Sequence, residues 1–553
     1  MTYQIPMRDI QFVLHELLQV PAMLQDCGQP DLDAETIDQV LAAAGQFAAE
    51  VIAPLNAAGD EHGCSMPSPG VVQTPPGFKK AYDEFTKNGW PGLACSPEFG
   101  GQGFPSVVAN AVYEVFGGAN MAWSSYPGMS HANLGLMRTR AVAQPDGSYR
   151  ITGSKIFISG GEQDLTENIM HLVLARMPDA PSGVKGISLF IVPKFIPDAS
   201  GAAGARNAVV CGSIEHKLGI HGNSTCTINF DGATGWLLGA PHKGLAGMFV
   251  QMNHMRVLVG MIAIGLMEAA YQKALAYGKE RLQGRASGAR PSGEAADPII
   301  GHADVRRMLL TQKANIEGAR ALALWTAQLS DLQRLHPDPA RRNETAELLG
   351  LLTPLVKALS SDLAVECTLL AMQVFGGHGY IRENGVEQHL RDVRIVGLYE
   401  GTNGVQAMDL LGRKVLADQG RQMGAFLDMA GAFAETCSPR EAMREFTQPL
   451  IELAAEIRQL TGELVAASAQ DPHAAGAAAA PYLRLVGHLA LAWTWARMAE
   501  VGFKNAGSSD PIYASKITTA RFYFQRLLPQ AAGLCQEIRA GSSALMEPAV
   551  ELF

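Results

Sequence analysis

The sequence predicts an α+β protein of several domains, in which helical sections enclose a small central β domain. Two observations carry this prediction. Apolar residues recur at helical spacing through the first and last parts of the chain, whereas short β-branched and aromatic runs between turn residues fill its middle. At about 150 residues per domain, 553 residues suffice for three or four domains. We therefore expect an N-terminal helical domain (1–133), a central β domain (134–235), a C-terminal helix bundle (236–418) and an additional helical domain (419–553).

The composition excludes several classes of protein. Hydrophobic residues make up 47% of the chain and charged residues 18%, which is typical of a globular protein with much buried helix. A net charge of -9 gives no electrostatic case for nucleic acid, because there is no basic surplus to neutralise phosphates. The uncharged apolar stretch at 257–267 is well short of the roughly 20 residues of a membrane span. We expect neither a nucleic-acid partner nor a membrane span.

The N-terminus and the cysteines predict a cytoplasmic protein. The first residues lack the basic and apolar regions of a secretory signal, and Asp9 interrupts them early. The eight cysteines are scattered without a Cys-x-x-Cys pair, so neither a zinc site nor a disulfide framework is indicated. We expect reduced, mostly buried thiols and no metal.

The first section is predicted to be an all-helical layer. Apolar residues at 12–18 and 37–51 have helical spacing, and a further helix is expected at about 79–88. Prolines and glycines at 67–77 indicate a loop, and the Gly-Gly-Gln-Gly sequence at 100–103 indicates a tight turn.

The β domain is predicted from strands at 149–152, 155–159, 171–175, 187–192 and 225–230. Turns are expected at 145–147 and 152–154, which would order the strands as a meander. After Trp236 the pattern becomes helical again, with long helices expected at 245–282, 303–335 and 346–375 and further helices from 419 to 553. Pro354 is expected to kink or interrupt the third long helix.

The strongest candidate for chemistry is Glu400. It stands on a predicted turn beside Gly401, and Thr402 and Asn403 are suited to cap a following helix. A carboxylate at such a place is either a reactive group or a partner of the helix dipole. The residues alone leave both readings open.

Three further clusters have a chemical and a purely structural reading. Gly376 and Gly377 end a long helix, where backbone amides can approach a phosphate or merely form a C-cap. Phe157 and Ser159 fall on one face of a predicted strand, suited to a flat ring or to the sheet core. Cations at 281–285 stand at another helix end, where they bind phosphate or cap the helix.

These four clusters, in this order and on this architecture, resemble the acyl-CoA dehydrogenase family of flavoproteins over nearly the whole chain. Further sequences at 52–56, 100–103 and 212–222, together with the C-terminal extension, resemble a longer subgroup that includes 3-(methylthio)propanoyl-CoA dehydrogenases. The resemblance implies an enzyme of fatty acid metabolism that converts an acyl-CoA to a trans-2-enoyl-CoA.

The resemblance also implies the roles of individual residues. Glu400, in the family's Tyr-Glu-Gly-Thr motif, would remove the α-proton while the β-hydrogen leaves as hydride to N5 of FAD. A flavin ribityl hydroxyl and the backbone amide of Glu400 would bind the thioester oxygen. Arg256 matches the arginine beside which some members carry the base; no carboxylate stands there, which favours Glu400. Arg256 and Gly401 are the expected substrate-binding residues.

The same resemblance implies a cofactor site shared between two subunits. FAD would lie between the β domain and the bundle, with Phe157 where many members have tryptophan. Arg281 stands in Arg-Leu-Gln-Gly, where the family has Arg-x-x-Phe-Gly. The expected FAD-binding residues are Phe157, Ser159, Arg281, Gln373, Gly376, Gly377, Thr402 and Asn403. The implied partners are acyl-CoA, an electron-transfer flavoprotein and a second copy of the chain in a homodimer.

One departure from the family pattern concerns the β domain. The family has a helix, a Leu-Pro turn and a strand with Thr-Glu-Pro and Gly-Ser/Thr-Asp before this domain; here the chain joins Asn133 directly to Leu134. We therefore expect a truncated β domain, either because the sequence omits residues that the molecule contains or because the gene product lacks them. Two rival functions stay open: a flavin oxidase on the same scaffold and, because of the missing segment, a non-catalytic assembly protein.

Overall fold

The computed structural model of the chain describes residues 3–128, 139–287 and 295–553. The junction of Asn133 and Leu134, where the missing segment is predicted, lies outside the described residues.

The N-terminal section is helical, as predicted, except for a small hairpin. Its helices are α1 Met7–Gln11, α2 Val20–Asp26, α3 Ala34–Phe47, α4 Leu55–His62, α5 Phe78–Lys87, α6 Ser106–Ala119 and α7 Met121–Gly128. Strands β1 (Ser65–Ser68) and β2 (Val71–Gln73) form the hairpin, where only a loop was expected. The expectation of an all-helical layer is therefore wrong at this point, because Val72 packs into the core of the β domain.

The central β domain consists of a curved main sheet and, among the described residues, a separate two-stranded sheet of Phe195–Pro197 with Ala203–Arg206. Its strands are β3 Arg140–Ala143, β4 Tyr149–Ser159, β5 Met170–Arg176, β6 Ile187–Pro193, β7 Phe195–Pro197, β8 Ala203–Arg206, β9 Val209–Ile214 and β10 Thr225–Leu238. The main sheet has the order β4-β3-β5-β6-β10-β9, and the long strand β10 also pairs with β4. Over the described residues, β3 and β5 share one register pair, Arg140 with Arg176, so this seam is the weakest join of the sheet.

Two features of the β domain differ from the prediction. The expected turn at 152–154 is absent: β4 runs through it, and Gly153 (φ 143°) faces Phe230 of β10. The short strands β3, β7, β8 and β9 were not predicted. Glycine, alanine or arginine breaks the apolar alternation of β3, β8 and β9, and β7 has only three residues. The turn at 145–147 is confirmed, with Gly147 donating its backbone N–H to Gln144 O at 3.1 Å.

The C-terminal half consists of long antiparallel helices and a helical tail. The bundle contains α8 Gly244–Glu280, α9 Ala303–Leu335, α10 Pro339–Phe375, α11 Glu387–Val393 and α12 Asn403–Met408. The tail contains α13 Arg421–Cys437, α14 Arg444–Ser468, α15 Ala474–Lys504, α16 Pro511–Phe522, α17 Ala531–Arg539 and α18 Ser543–Met546. The three long helices are confirmed, but Pro354 does not interrupt α10, since buried neighbours on both sides hold the helix in the bundle.

The N-terminal helices, the bundle and the tail share one hydrophobic core. Phe116, Ile262, Leu322, Leu355 and Trp495 all belong to it. By length and composition alone, α8 and α10 are apolar enough to cross a membrane, yet 80% and 72% of their apolar windows are buried within the protein. The apolar residues of these two helices therefore pack in the shared core.

A buried cluster of charges crosses the same core. Arg320 of α9 is fully buried and forms ion pairs with Asp9, Glu114 (2.6 Å) and Glu268 (2.8 Å). The ammonium of Lys516, in the tail, joins Asp9 to Glu317 (2.8 Å). The cluster therefore links the first helix of the chain, the bundle and the tail.

Candidate active site

Glu400 lies on a strained turn at the start of α12. Its φ is 56° and that of Gly401 is 83°, so two successive residues are left-handed. This conformation is natural for glycine but unfavourable for a residue with a Cβ atom. Thr402 caps α12, its Oγ1 accepting from the backbone N–H of Val405 at 3.4 Å, which confirms the predicted cap. A strained residue of this kind is typical of functional sites.

The turn is fixed by buried side chains around it. Glu400 is 7% exposed. Gln406, fully buried, donates its amide to Glu400 O at 3.1 Å and to Gly401 O at 3.3 Å. The ammonium of Lys357 on α10 donates to Gly401 O at 2.9 Å. Hydrogen bonds to the backbone carbonyls of Glu400 and Gly401 therefore set the direction of the Glu400 side chain.

Two buried cations lie near this turn. Lys357 is fully buried, and burial lowers its pKa to about 8; the charges of Glu400 and Arg256 also act on it. Arg256 of α8 forms an ion pair with Asp409 at 3.0 Å. Lys357 was not predicted from the sequence, although a single lysine within the apolar run 351–359 is a signal of a specific role.

Asn403, at the start of α12, connects this helix to α10 by hydrogen bonds. Its amide nitrogen donates to Ser361 Oγ (2.9 Å) and Asp362 Oδ1 (2.6 Å), and its Oδ1 accepts from Lys357 (3.0 Å). Gly401, Thr402 and Asn403 are thus brought together with Glu400 as predicted. Their expected contacts with substrate and FAD stay predictions.

A second group of predicted residues lies at the C-terminal ends of α8 and α10. The rings of Tyr277 and Phe375 stack with centroids 4.2 Å apart, which places Arg281 beside the Gln373 to Gly377 segment. Arg281 and Gln373 are exposed, and no atom lies within 4 Å of a Cβ built on Gly376 or Gly377. This open group, defined by Arg281, Gln373, Gly376 and Gly377, is called the helix-end cluster below.

Phe157 and Ser159 occupy an irregular part of β4. The register of β4 with β10 shifts between Ile158 and Lys155, and Phe157 has φ 59°. The predicted alternation of a regular strand is therefore broken by a β-bulge at Phe157. The Phe157 ring is 60% exposed, whereas Ser159 is 9% exposed.

The helix-end cluster is far from Glu400 within one chain. Arg256, beside the Glu400 turn, and Arg281 stand 25 residues apart on α8, which corresponds to about 37 Å of helix. One extended FAD molecule is shorter than this distance. A single chain therefore contains two separate parts of the predicted cofactor site.

The residues at these places fit FAD. An uncovered aromatic ring at Phe157 suits the flat isoalloxazine. The open glycine backbone at Gly376 and Gly377, with the exposed cation of Arg281, suits a pyrophosphate and an adenosine. Over the described ranges, no group of three or more His, Cys, Asp or Glu is arranged to hold a metal ion.

The second half of the chain matches two protein families. Residues 242–416 match the family described as acyl-CoA dehydrogenase, C-terminal domain. Residues 422–548 match the family described as acetyl-CoA dehydrogenase C-terminal like. The bundle and most of the tail are therefore covered by family matches.

Relatives extend the likeness over the whole chain. The 3-methylmercaptopropionyl-CoA dehydrogenase of Ruegeria pomeroyi is 39% identical over 96% of this chain and 97% of its own. The broad-specificity linear acyl-CoA dehydrogenase FadE5 of Mycobacterium tuberculosis is 32% identical over 99% of this chain and 98% of its own. The structure of Caenorhabditis elegans ACDH-11 in complex with C11-CoA shares the fold, with a TM-score of 0.76 over 99% of this chain and 96% of that one, at 16% identity.

The chain belongs to the acyl-CoA dehydrogenase family, and is thus a flavoprotein oxidoreductase that uses FAD to dehydrogenate an acyl-CoA. Within the family it is similar to the longer subgroup represented by the Ruegeria enzyme. The predicted fold class, activity and cofactor are confirmed, and dehydrogenation is favoured over the oxidase and the non-catalytic alternatives.

The alignment also shows a difference in length. It runs over 575 positions, more than the 553 residues of this chain, so the Ruegeria enzyme has residues without a counterpart here. Their assignment to the junction of Asn133 and Leu134 stays a prediction.

Proposed function

We propose that Glu400 is the base that removes the α-proton of an acyl-CoA thioester. The observation that carries this proposal is the strained, buried turn, on which a carboxylate is held at a helix N-terminus near the cations Lys357 and Arg256. A base must be oriented before proton transfer, and the hydrogen bonds to the Glu400 and Gly401 carbonyls provide this orientation.

The other residues bind and orient the reactants. The chemistry that bound FAD supplies is acceptance of the β-hydrogen as hydride at N5. The backbone amide of Glu400 is the proposed donor to the thioester oxygen, where negative charge develops during proton removal. Phe157 and Ser159 border the isoalloxazine on the side of the β domain.

The proposed substrate class is a short acyl-CoA. The support is the 39% identity to an enzyme named for 3-methylmercaptopropionyl-CoA, a thioester with a short thioether chain. We therefore name 3-(methylthio)propanoyl-CoA as the first substrate to test.

The test is anaerobic mixing of the purified flavoprotein with this thioester while flavin absorbance is recorded. The wild type should bleach within seconds, and Glu400→Gln should retain FAD yet reduce it at least about 10³-fold more slowly. Glu344→Gln, an exposed carboxylate on α10, is the matched control and should react like the wild type. An unchanged rate in Glu400→Gln would exclude this residue as the base.

We also propose a homodimer in which the helix-end cluster of one chain contacts the FAD of its partner. The support is the separation of about 37 Å between this cluster and the Glu400 turn. Sedimentation should give the mass of two chains at micromolar concentration; a mass of one chain would refute the dimer.

An electron-transfer flavoprotein is the proposed electron acceptor, and the cytoplasm the proposed location. The location is supported by eight cysteines that are all unpaired. Hydrogen peroxide formed at the rate of turnover would favour oxygen as the acceptor instead, and recovery in a secreted fraction would contradict the location.

A further inference from the structure

We propose that Lys357 is a positioning residue for the reaction, which holds the Glu400 turn in its left-handed conformation and keeps a positive charge beside the base. The proposal rests on the assignment of Glu400 as the base. It concerns a residue that does not touch the substrate and acts through the turn.

Lys357 holds the first and the third residue after the base. Its ammonium donates to Gly401 O at 2.9 Å and to Asn403 Oδ1 at 3.0 Å. Asn403 is itself fixed by Ser361 and Asp362, so one short stretch of α10 holds the whole start of α12. Because Lys357 is fully buried on a helix of the core, this contact transfers the rigidity of α10 to the turn.

The turn needs such support because of its conformation. Glu400 has a Cβ atom at φ 56°, a conformation that is unfavourable in an unsupported chain. Gln406 shares the Gly401 carbonyl with Lys357, donating to it at 3.3 Å, and also donates to the carbonyl of Glu400 at 3.1 Å. Lys357 and Gln406 together therefore fix both peptide groups that flank Gly401.

The charge of Lys357 is also unusual. Over the described residues, no carboxylate oxygen lies within 4.0 Å of its ammonium, so no close ion pair offsets its burial. The charged groups that face it are Asp362 on its own helix, Glu400 on the turn and Arg256 on α8. A packing role alone would be served by an apolar side chain, whereas a buried cation favours the ionised form of a nearby base.

The experiment compares Lys357→Met with Lys273→Met in the full-length holoenzyme. Lys273 is the matched control, a half-buried lysine that donates to the carbonyl of Gly385 at 2.8 Å on another part of the bundle. Lys357→Met should reduce flavin about tenfold or more slowly and move the acid limb of the pH–rate profile to higher pH by about one unit. Amide hydrogens of residues 400–406 should exchange faster, with or without bound flavin. Lys273→Met should change none of these three.

Each outcome decides the proposal. The positioning role of Lys357 is refuted if Lys357→Met has the wild-type rate, the wild-type acid limb and the wild-type amide exchange. The base assignment is refuted instead if Glu400→Gln still reacts. If Lys357→Met is too unstable to assay, the free energy of unfolding is measured for the double variant Lys357→Met/Glu400→Gln. The double variant should lose less of this free energy than the two single variants lose in sum, because it removes both charges. Additive effects would overturn the proposal.

Discussion

Some features of the Glu400 turn can be predicted from its individual residues, and others cannot. The carboxylate, the glycine after it and the helix cap are readable from four consecutive residues, because each has a strong local preference. The positive φ of Glu400 is not readable, since glutamate seldom adopts it and the conformation depends on contacts to α10 and α12. Lys357 was missed for the same reason: its partners stand more than 40 residues away in the sequence.

Gly401→Ala tests the turn at the residue scale. Gly401 has φ 83°, and an added Cβ would lie 2.7 Å from the amide nitrogen of Gln406. The variant should lose about 1–2 kcal/mol of stability and reduce flavin more slowly, because Gln406 must move away from both carbonyls. Thermal unfolding and anaerobic flavin reduction measure the two effects.

Gly404→Ala is the control for this substitution. Gly404 lies in α12 without a positive φ, and the atom nearest to its added Cβ is Thr402 Oγ1 at 3.9 Å. This variant should be as stable as the wild type or slightly more so. Equal stability of the two variants would contradict the described turn.

At the scale of the elements, long helices were predicted well and short strands poorly. Helices α8 and α9 were placed within two residues at each end, because their period persists over many turns. Strand β3 was missed because four residues carry too little alternation. The bulge at Phe157 was missed because its cause is the pairing of β4 with β10, a contact between distant segments.

Hydrogen exchange tests the seam between β3 and β5. Strand β5 pairs with β6 over seven residues but with β3, among the described residues, only at Arg176. Amide hydrogens of β5 that point away from β6 should therefore exchange faster than those of residues 189–191, where β6 is paired on both sides. Equal protection would show that a further segment covers this edge, as the predicted missing strand would.

At the scale of the whole molecule, the tail completes the core. Sequence analysis predicted a tail of helices without a role for it. In the structure its residues Trp493, Trp495 and Tyr523 belong to the same core as the N-terminal helices, and Lys516 enters the buried charge cluster. No local pattern indicates such a contact, because it depends on the packing of segments from opposite ends of the chain.

The charge cluster makes stability dependent on pH. Four carboxylates (Asp9, Glu114, Glu268 and Glu317) face three cations (Arg320, Lys516 and Lys313), so one carboxyl is in excess. Burial raises the pKa of Glu114 from its ordinary value of 4.5 to about 7, against the effect of Arg320. The folded state thus keeps a proton that the unfolded chain releases above pH 4.5.

Glu114→Gln tests this dependence. In the wild type, this group's contribution to the free energy of unfolding should fall as the pH rises from about 4.5 to about 7, by about 1.4 kcal/mol per unit. Glutamine cannot ionise, so the variant should lose this slope. Denaturant unfolding at pH 5.5 and 7.0 measures the difference, and an exposed-site variant, Glu344→Gln, should retain the wild-type slope. A slope unchanged in Glu114→Gln would contradict the assignment.

The same cluster constrains how the protein is made. Lys516 leaves the ribosome 507 residues after Asp9, its partner in the finished core. Until then the carboxylates of Asp9 and Glu317 lack this cation, and burying them would be costly. The helical core therefore closes fully only after Lys516 has been translated, and chains released early by a stop codon in the tail should be substrates for proteolysis.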